Sequence, residues 1–345
     1  MAKTKTADPL QNAMLDALRA AKVEVVTDPA PLSFISSGSL AWDIKMRGGF
    51  VRGGINNMWG PNGCGKSTLA LCASAHISRN NGTVVYINSE KMFDETWAKL
   101  MGCPFGNDPD AKNFALINES MTMERTFNVM LALVGKVDFI VLDSLAELVT
   151  DAELEADMED RGFSKSPNVI SFAMKKLIYG MNPLKESQTA ILITNQVRNK
   201  MAASPYEDPY YQPGGRHLEH ACSNIFRMYP AKRLPDDKNK PQIGHIFQMR
   251  DTKNKVMARG DTIEIPVGAK DGIGGYLRGV ELTALGKDYG LLTAEDGVTP
   301  ASRGYWYFNG EKLGNGEVAT WDALEARPDV AKALEDAIWT KVRGG

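Results

Sequence analysis

Apolar residues recur along this chain with two different periods, and the alternation between those periods sets the expected architecture. From position 54 to about 195, short apolar runs alternate with longer stretches of helical spacing, the βαβ rhythm of a mostly parallel sheet covered on both faces. The spacing predicts strands at Ile55 to Trp59, Thr83 to Ile87, Phe114 to Ile117, Phe139 to Leu142 and Ala190 to Thr194, with helices over 66–79, 94–101, 121–134 and 167–180. Further strands are expected at Ser223 to Met228, His245 to Met249 and Thr262 to Pro266. Residues 271–345 then hold Gly-rich turns, the aromatic strand Gly304 to Phe308 and an amphipathic helix from about 328 to 342, which together read as a small α/β domain. At the opposite end, Leu10, Met14, Leu15 and Leu18 share one helical face within 9–22, and a linker containing Asp28-Pro29-Ala30-Pro31 sets that helix apart. Packing on its own domain and docking on a neighbouring subunit are both open for it.

Two stretches interrupt the rhythm, Glu155 to Ser166 and Asn199 to Gly215. Both are expected to be loops, and loops longer than about 12 residues in a compact domain are functional or disordered.

Composition narrows the class without naming a ligand. With 345 residues, 43% hydrophobic and 24% charged, the chain is long enough for one large domain and smaller appendages. No apolar run approaches the roughly 20 residues of a membrane span, and Met1 to Asp8 lacks a signal-peptide core, so a cytoplasmic protein without a membrane partner is expected. Cys64, Cys72, Cys103 and Cys222 stand too far apart for a zinc site or disulfide scaffold and are read as reduced thiols. His217 and His220 have no ligand partners at zinc spacing, which favours packing or loop coupling over a metal role. A net charge of -2 gives no global pull on nucleic acid, so such binding must come from local basic segments.

The chemistry is concentrated in Gly60, Pro61, Asn62, Gly63, Cys64, Gly65, Lys66, Ser67 and Thr68, which follow an apolar strand and open a helix. Glycines let the backbone curl around a phosphate with its N–H groups inward, while Lys66 supplies charge to the β and γ phosphates and Ser67 a hydroxyl to Mg²⁺. ATP and Mg²⁺ are therefore the expected cofactors. The run Val137-Asp138-Phe139-Ile140-Val141-Leu142-Asp143 is an apolar strand ending in a carboxylate, placing Asp143 in the Mg²⁺ shell through water. Glu90 ends the strand after the phosphate loop's helix and is a candidate for activating water, with a solvated surface glutamate as the alternative. Cys64 is either a thiol made acidic by Lys66 and the surrounding N–H groups or simply a small residue that fits. Around the second loop, Arg198, Lys200 and Arg216 flank Met201, Tyr206, Tyr210 and Tyr211, combining phosphate-neutralising charge with rings that contact unstacked bases. A surface loop whose tyrosines pack on the core has the same composition.

With these residues in place, the chain resembles the bacterial RecA recombinase family over nearly all of its length. Ile35 to Asp43 looks like that family's lead-in to its core, Asn88-Ser89-Glu90 with Asp94 like its catalytic-glutamate segment, and Ile193 to Arg198 like its γ-phosphate sensor. Gly214-Gly215, Lys253-Asn254-Lys255 and Gly310 to Gly316 match in order. The resemblance implies an α/β fold: a RecA-like P-loop ATPase core with a mostly parallel sheet, an N-terminal oligomerisation helix and linker over 1–32, the core over 33–268, and a small C-terminal α/β domain over 269–345. It implies that Glu90 activates water, that Trp97 lies against adenine with Asp94 contacting the base, and that Gln196 senses the γ-phosphate. Lys253 and Lys255 then reach the ATP of a neighbouring subunit, making hydrolysis depend on a filament interface.

The same resemblance places DNA-binding loops at about 155–166 and 199–215. Phe163, between Arg161 and Lys165, takes the position of an apolar wedge between groups of bases, and Gly214 and Gly215 close the second loop. Asn168 stands where bacterial members carry a basic residue, and Glu153, Glu155, Asp157, Glu159 and Asp160 crowd the first loop, so that loop is expected to bind DNA differently. The chain stops at Val342-Arg343-Gly344-Gly345 without an acidic tail, which suits a phage-encoded member and removes a restraint on duplex DNA. The expected partners are single-stranded and double-stranded DNA, further copies of the chain in a helical filament, and single-strand-binding and loading proteins. The implied function is DNA-stimulated ATP hydrolysis with homologous pairing and strand exchange. A recombination mediator or helicase motor without strand exchange, and a switch protein that barely hydrolyses ATP, are the competing readings.

Overall fold

The computed structural model describes residues 9–22, 31–90, 92–157, 166–181, 189–199, 210–236, 238–258, 260, 262–270 and 272–344. The chain divides into two units, Met1–Leu32 and Ser33–Gly345. The first contains α1 (Pro9–Ala20), on which Met14 is exposed.

The second unit opens with β1 (Phe34–Ile35), α2 (Leu40–Lys45) and β2 (Phe50–Val51), the two strands pairing antiparallel around the helix. The βαβ region follows as β3 (Ile55–Gly60), α3 (Lys66–Arg79), β4 (Val84–Asn88), α4 (Glu95–Leu100), β5 (Phe114–Ile117), α5 (Met123–Leu133), β6 (Phe139–Asp143), α6 (Asp151–Glu155), α7 (Ser166–Gly180) and β7 (Ala190–Gln196). Next come β8 (Arg198–Asn199), β9 (Tyr210–Tyr211), α8 (Gly215–Ala221), β10 (Asn224–Leu234), β11 (Gly244–Asn254), β12 (Thr262–Lys270) and β13 (Ile273–Tyr276). The chain ends with α9 (Arg278–Asp288), β14 (Tyr305–Phe308), β15 (Glu311–Asn315), α10 (Gly316–Ala326) and α11 (Pro328–Gly344).

One nine-stranded sheet runs β13-β12-β11-β10-β3-β7-β6-β4-β5. Pairing is parallel from β10 through β5 and antiparallel from β10 to β13. Phe139, Ile140, Val141 and Leu142 of β6 are fully buried, as expected of a central parallel strand covered on both faces, and each contributes about 1.5–3 kcal/mol of burial. On one face, α3 packs Leu69, Ala70 and Ala73 into a cluster with Trp42, Phe50 and Phe139. On the other, Phe127 of α5, Met174 and Leu177 of α7 and Leu218 of α8 pack over Ile55, Ile140 and Ile191. Two buried asparagines tie β3 to its neighbours: Asn56 donates to the Ile191 carbonyl at 3.1 Å, and Asn224 donates to Asn56 at 3.0 Å.

The C-terminal segment packs Trp306, Phe308, Leu324, Leu334 and Ile338 into a cluster that also takes Leu40 and Ile44 of α2. Buried Glu281 of α9 reinforces this join, accepting from the Ser39 hydroxyl at 2.5 Å and the Leu40 and Ala41 amides at 3.0 and 3.1 Å. Burial nevertheless pushes its pKa up to about 7.

The sheet order sets the distance of Glu90 from the phosphate loop. Glu90 follows the strand that comes next in sequence after the phosphate loop's helix, but β4 is not next to β3 in space. Strands β7 and β6 stand between them, so β3 is flanked by β7, which ends in Gln196, and on its other side by β10. A second difference is length: β10, β11 and β12 run well beyond the segments their apolar residues predict.

Candidate nucleotide and nucleic-acid sites

The phosphate loop leaves β3 at Gly60 and enters α3 at Lys66. Gly65 holds φ 94° at the helix N-cap, where no side chain bonds the first amides, so the turn presents backbone N–H groups. Its hydrogen is also required by packing, because a Cβ there would fall 2.1 Å from the Phe247 ring. Buried Lys66 donates its ammonium to the carbonyls of Gly60 at 3.0 Å and Pro61 at 2.9 Å. The loop thus carries a positive charge against its inner curve, the donor set a chain of phosphates requires. Burial pushes the Cys64 thiol above its ordinary pKa, and Lys66 offsets that only in part. Of the two readings of Cys64, its burial in the core cluster favours the small residue that fits over the acidic thiol.

A cavity of about 780 Å³ opens on this loop and is lined by Asn62, Gly63, Gly65, Lys66, Ser67 and Thr68. Glu90, Trp97 and Gln196 face the same space, so three elements distant in sequence meet around one void. Five lining residues were not foreseen: Met92, Glu147, Ala231 on β10, and His245 and Phe247 on β11. Asp94 takes another position, capping α4 by accepting from the Trp97 amide at 3.0 Å, and it does not line the cavity. Asp143 also lies behind the wall: it is 3% exposed and accepts from Tyr86 and Thr194, both at 2.5 Å. Two neutral hydroxyls hold its carboxylate, one on each oxygen. Burial raises the Glu90 pKa, the charges of Asp143 and Glu147 add to the rise, and Lys66 opposes it.

A second cavity, of about 700 Å³, lies where the stems of the two interrupting loops meet. Glu153 of α6 and Ser166, the first residue of α7, line it from either side of the first loop, the Ser166 hydroxyl donating to Glu153 at 3.0 Å. Arg198, Tyr211, Gly214 and Gly215 line it from the second. Arg198 and Asn199 pair antiparallel with Tyr211 and Tyr210, a short ladder that closes the base of the second loop. Tyr210 and Tyr211 are 39% and 43% exposed, and Arg216 is exposed on the first turn of α8. Arg161, Phe163, Lys165, Lys200, Met201 and Tyr206 lie outside the described residues. Sequence reading missed Arg227, whose guanidinium stands 5.3, 6.0 and 5.2 Å from the rings of Trp59, Tyr210 and Tyr229.

Lys253 and Lys255 line neither cavity. The Lys253 ammonium binds the carbonyls of Glu219 at 2.5 Å and His220 at 3.3 Å, at the C-terminal end of α8. Burial, with the neighbouring Lys255 charge, holds its pKa below the usual lysine value. Among the described residues no helix is long and apolar enough to cross a membrane.

Comparison with known proteins agrees with this geometry. The model of the RecA N-terminal domain matches residues 21–274. The RecA protein of Halalkalibacterium halodurans is 31% identical over 311 residues, covering 89% of this chain and 82% of that protein. RecA of Lactobacillus delbrueckii subsp. bulgaricus is 30% identical over 91% of this chain and 88% of its own, and RecA of a Nocardioides species 31% identical over 92% and 85%. With a phosphate loop feeding a mostly parallel sheet and family similarity along most of its length, the chain belongs to the RecA recombinase family, and its core is a RecA-like P-loop fold.

Proposed function

We propose that the protein is an ATP-dependent DNA recombinase that assembles on single-stranded DNA, pairs it with a homologous duplex and exchanges strands. The observation that carries this reading is the convergence of Lys66, Ser67, Glu90, Trp97 and Gln196 on one cavity, with Gln196 leading directly into the ladder of the second loop. The turn from Gly60 to Gly65 cradles the phosphates, Lys66 turns from its loop carbonyls to the β and γ phosphates, and Trp97 lies against the base. Ser67 and Asp143 would be the residues to hold Mg²⁺, which would supply charge neutralisation to the phosphates. Glu90 accepts a proton from the water that attacks the γ-phosphorus as ADP leaves. Gln196 senses the γ-phosphate and passes its presence to the second loop.

Lys253 and Lys255, absent from the cavity of their own chain, supply charge to the nucleotide of the adjacent protomer. Replacing either by Ala is expected to lower DNA-stimulated ATPase activity on the order of 10³-fold while the isolated protomer still binds nucleotide, as measured by phosphate release and nucleotide fluorescence. Full activity in one variant removes that residue from the trans role.

The reading is tested by strand exchange between single-stranded DNA and matched or mismatched duplexes, with and without ATP. Joint molecules that require both ATP and homology are expected. ATP hydrolysis and DNA binding without such products would assign the protein to mediators or motors instead.

A further inference from the structure

One charged contact joins the two cavities. The side-chain amide of Gln196 donates to Glu147 at 2.7 Å, and Glu147 lines both the nucleotide cavity and the cavity at the loop stems. Glu147 ends a single 3₁₀ turn, Leu145–Glu147, which follows Asp143 and packs beside β7. Gln196 is the last residue of β7, and Arg198 already belongs to the ladder with Tyr211. Any turn of the Gln196 side chain or backbone is therefore delivered within two residues to the base of the second loop.

We propose that Glu147 is a positioning residue that latches Gln196 in the state without a γ-phosphate and so holds the second loop in its low-affinity form. The inference rests on the reading of Gln196 as the nucleotide sensor. Its physical basis is competition between acceptors. The Gln196 amide gives its hydrogens to a carboxylate in this arrangement, and a γ-phosphate entering the same cavity offers more negative charge to the same donor. That phosphate also repels the Glu147 carboxylate, which faces the cavity beside Glu90. Nucleotide entry thus weakens the old bond while creating its replacement, and a ligand shifts a two-state element by this kind of differential interaction. ADP, lacking the third phosphate, leaves the Glu147 bond in place.

The test is the affinity for a fluorescent oligothymidine with no nucleotide, with Mg-ADP and with a non-hydrolysable Mg-ATP analogue, using Glu147→Ala, Glu147→Gln and Gln196→Ala. Glu147→Ala is expected to tighten binding about tenfold with ADP or no nucleotide and to leave the ATP-analogue value unchanged, so the nucleotide effect shrinks. Glu147→Gln keeps the shape and one acceptor oxygen but not the charge, and gives an intermediate gain. A residue needed only for folding would weaken binding in every state. Gln196→Ala separates the two ideas: it should erase the difference between ADP and the ATP analogue. If it does so while Glu147→Ala matches the wild type or binds more weakly with ADP, the latch is wrong and the sensor stands. If Gln196→Ala retains the full nucleotide effect, sensor and latch fall together.

Discussion

Lys66→Ala is expected to lower ATP turnover by roughly 10²–10³-fold, the cost of deleting one preorganised donor to developing charge, and to remove nucleotide-dependent binding of single-stranded DNA. In the structure the ammonium is buried and held by the Gly60 and Pro61 carbonyls on the inner curve of the loop. Exchange of those two acceptors for phosphate oxygens requires only a short movement of an already desolvated charge. No other lysine or arginine lines this cavity, so nothing among the described residues substitutes for it. The two carbonyls lose a donor in the variant, a stability cost of about 1–3 kcal/mol, so thermal melting must accompany the phosphate-release assay. A folded variant that keeps turnover within a few-fold of the wild type would remove the phosphate loop from the mechanism.

Glu90→Gln is expected to lower kcat by about 10²–10⁴-fold while leaving ATP-dependent DNA binding intact, because the amide keeps the size of the side chain but accepts no proton from water. The pH profile carries an independent signature. Burial, then the charges of Asp143 and Glu147, raise the Glu90 pKa, with Lys66 opposing. A base works only when ionised, so activity is present above the raised pKa and falls as pH drops through it. The acid limb of kcat/KM should therefore lie above the ordinary glutamate range, and Glu147→Ala, which removes one of the charges, should move it down. An acid limb at or below the ordinary glutamate value, or a fully active Glu90→Gln, would contradict the assignment of Glu90 as the base.

What the sequence made legible was whatever repeats or has a short-range cause. Fully buried parallel strands such as Phe139–Asp143 announce themselves as unbroken apolar runs, and the phosphate loop is legible because its glycines answer a local demand on the backbone. Strand ends in the antiparallel part were not, because Lys232, Gln248 and Glu264 extend the ladder through polar contacts, Lys232 donating to Glu264 at 2.9 Å, rather than through alternating apolar residues. Strand order was also hidden. Nothing near Glu90 in sequence reveals that β7 and β6 intervene between its strand and the phosphate loop. His245 and Phe247 reach the nucleotide cavity from β11, far along the chain, and only the folded sheet brings them there. Asp94 was expected at the base and instead caps α4, although an aspartate before Glu95-Thr96-Trp97 is itself an N-cap signal. Glu147 sat in plain view four residues after Asp143, but its meaning depends on a partner from another strand.

The central claim is that the working site is shared, with Glu90 supplied by one protomer and Lys253 by the next. Its most direct test mixes two variants, each inactive alone for a different reason: Glu90→Gln, which retains Lys253, and Lys253→Ala, which retains Glu90. In an equal mixture on single-stranded DNA with Mg-ATP, random assembly creates complete interfaces at about a quarter of positions, and phosphate release should recover to about that share of the wild-type rate. A mixture no more active than its separate components would contradict a site built between protomers.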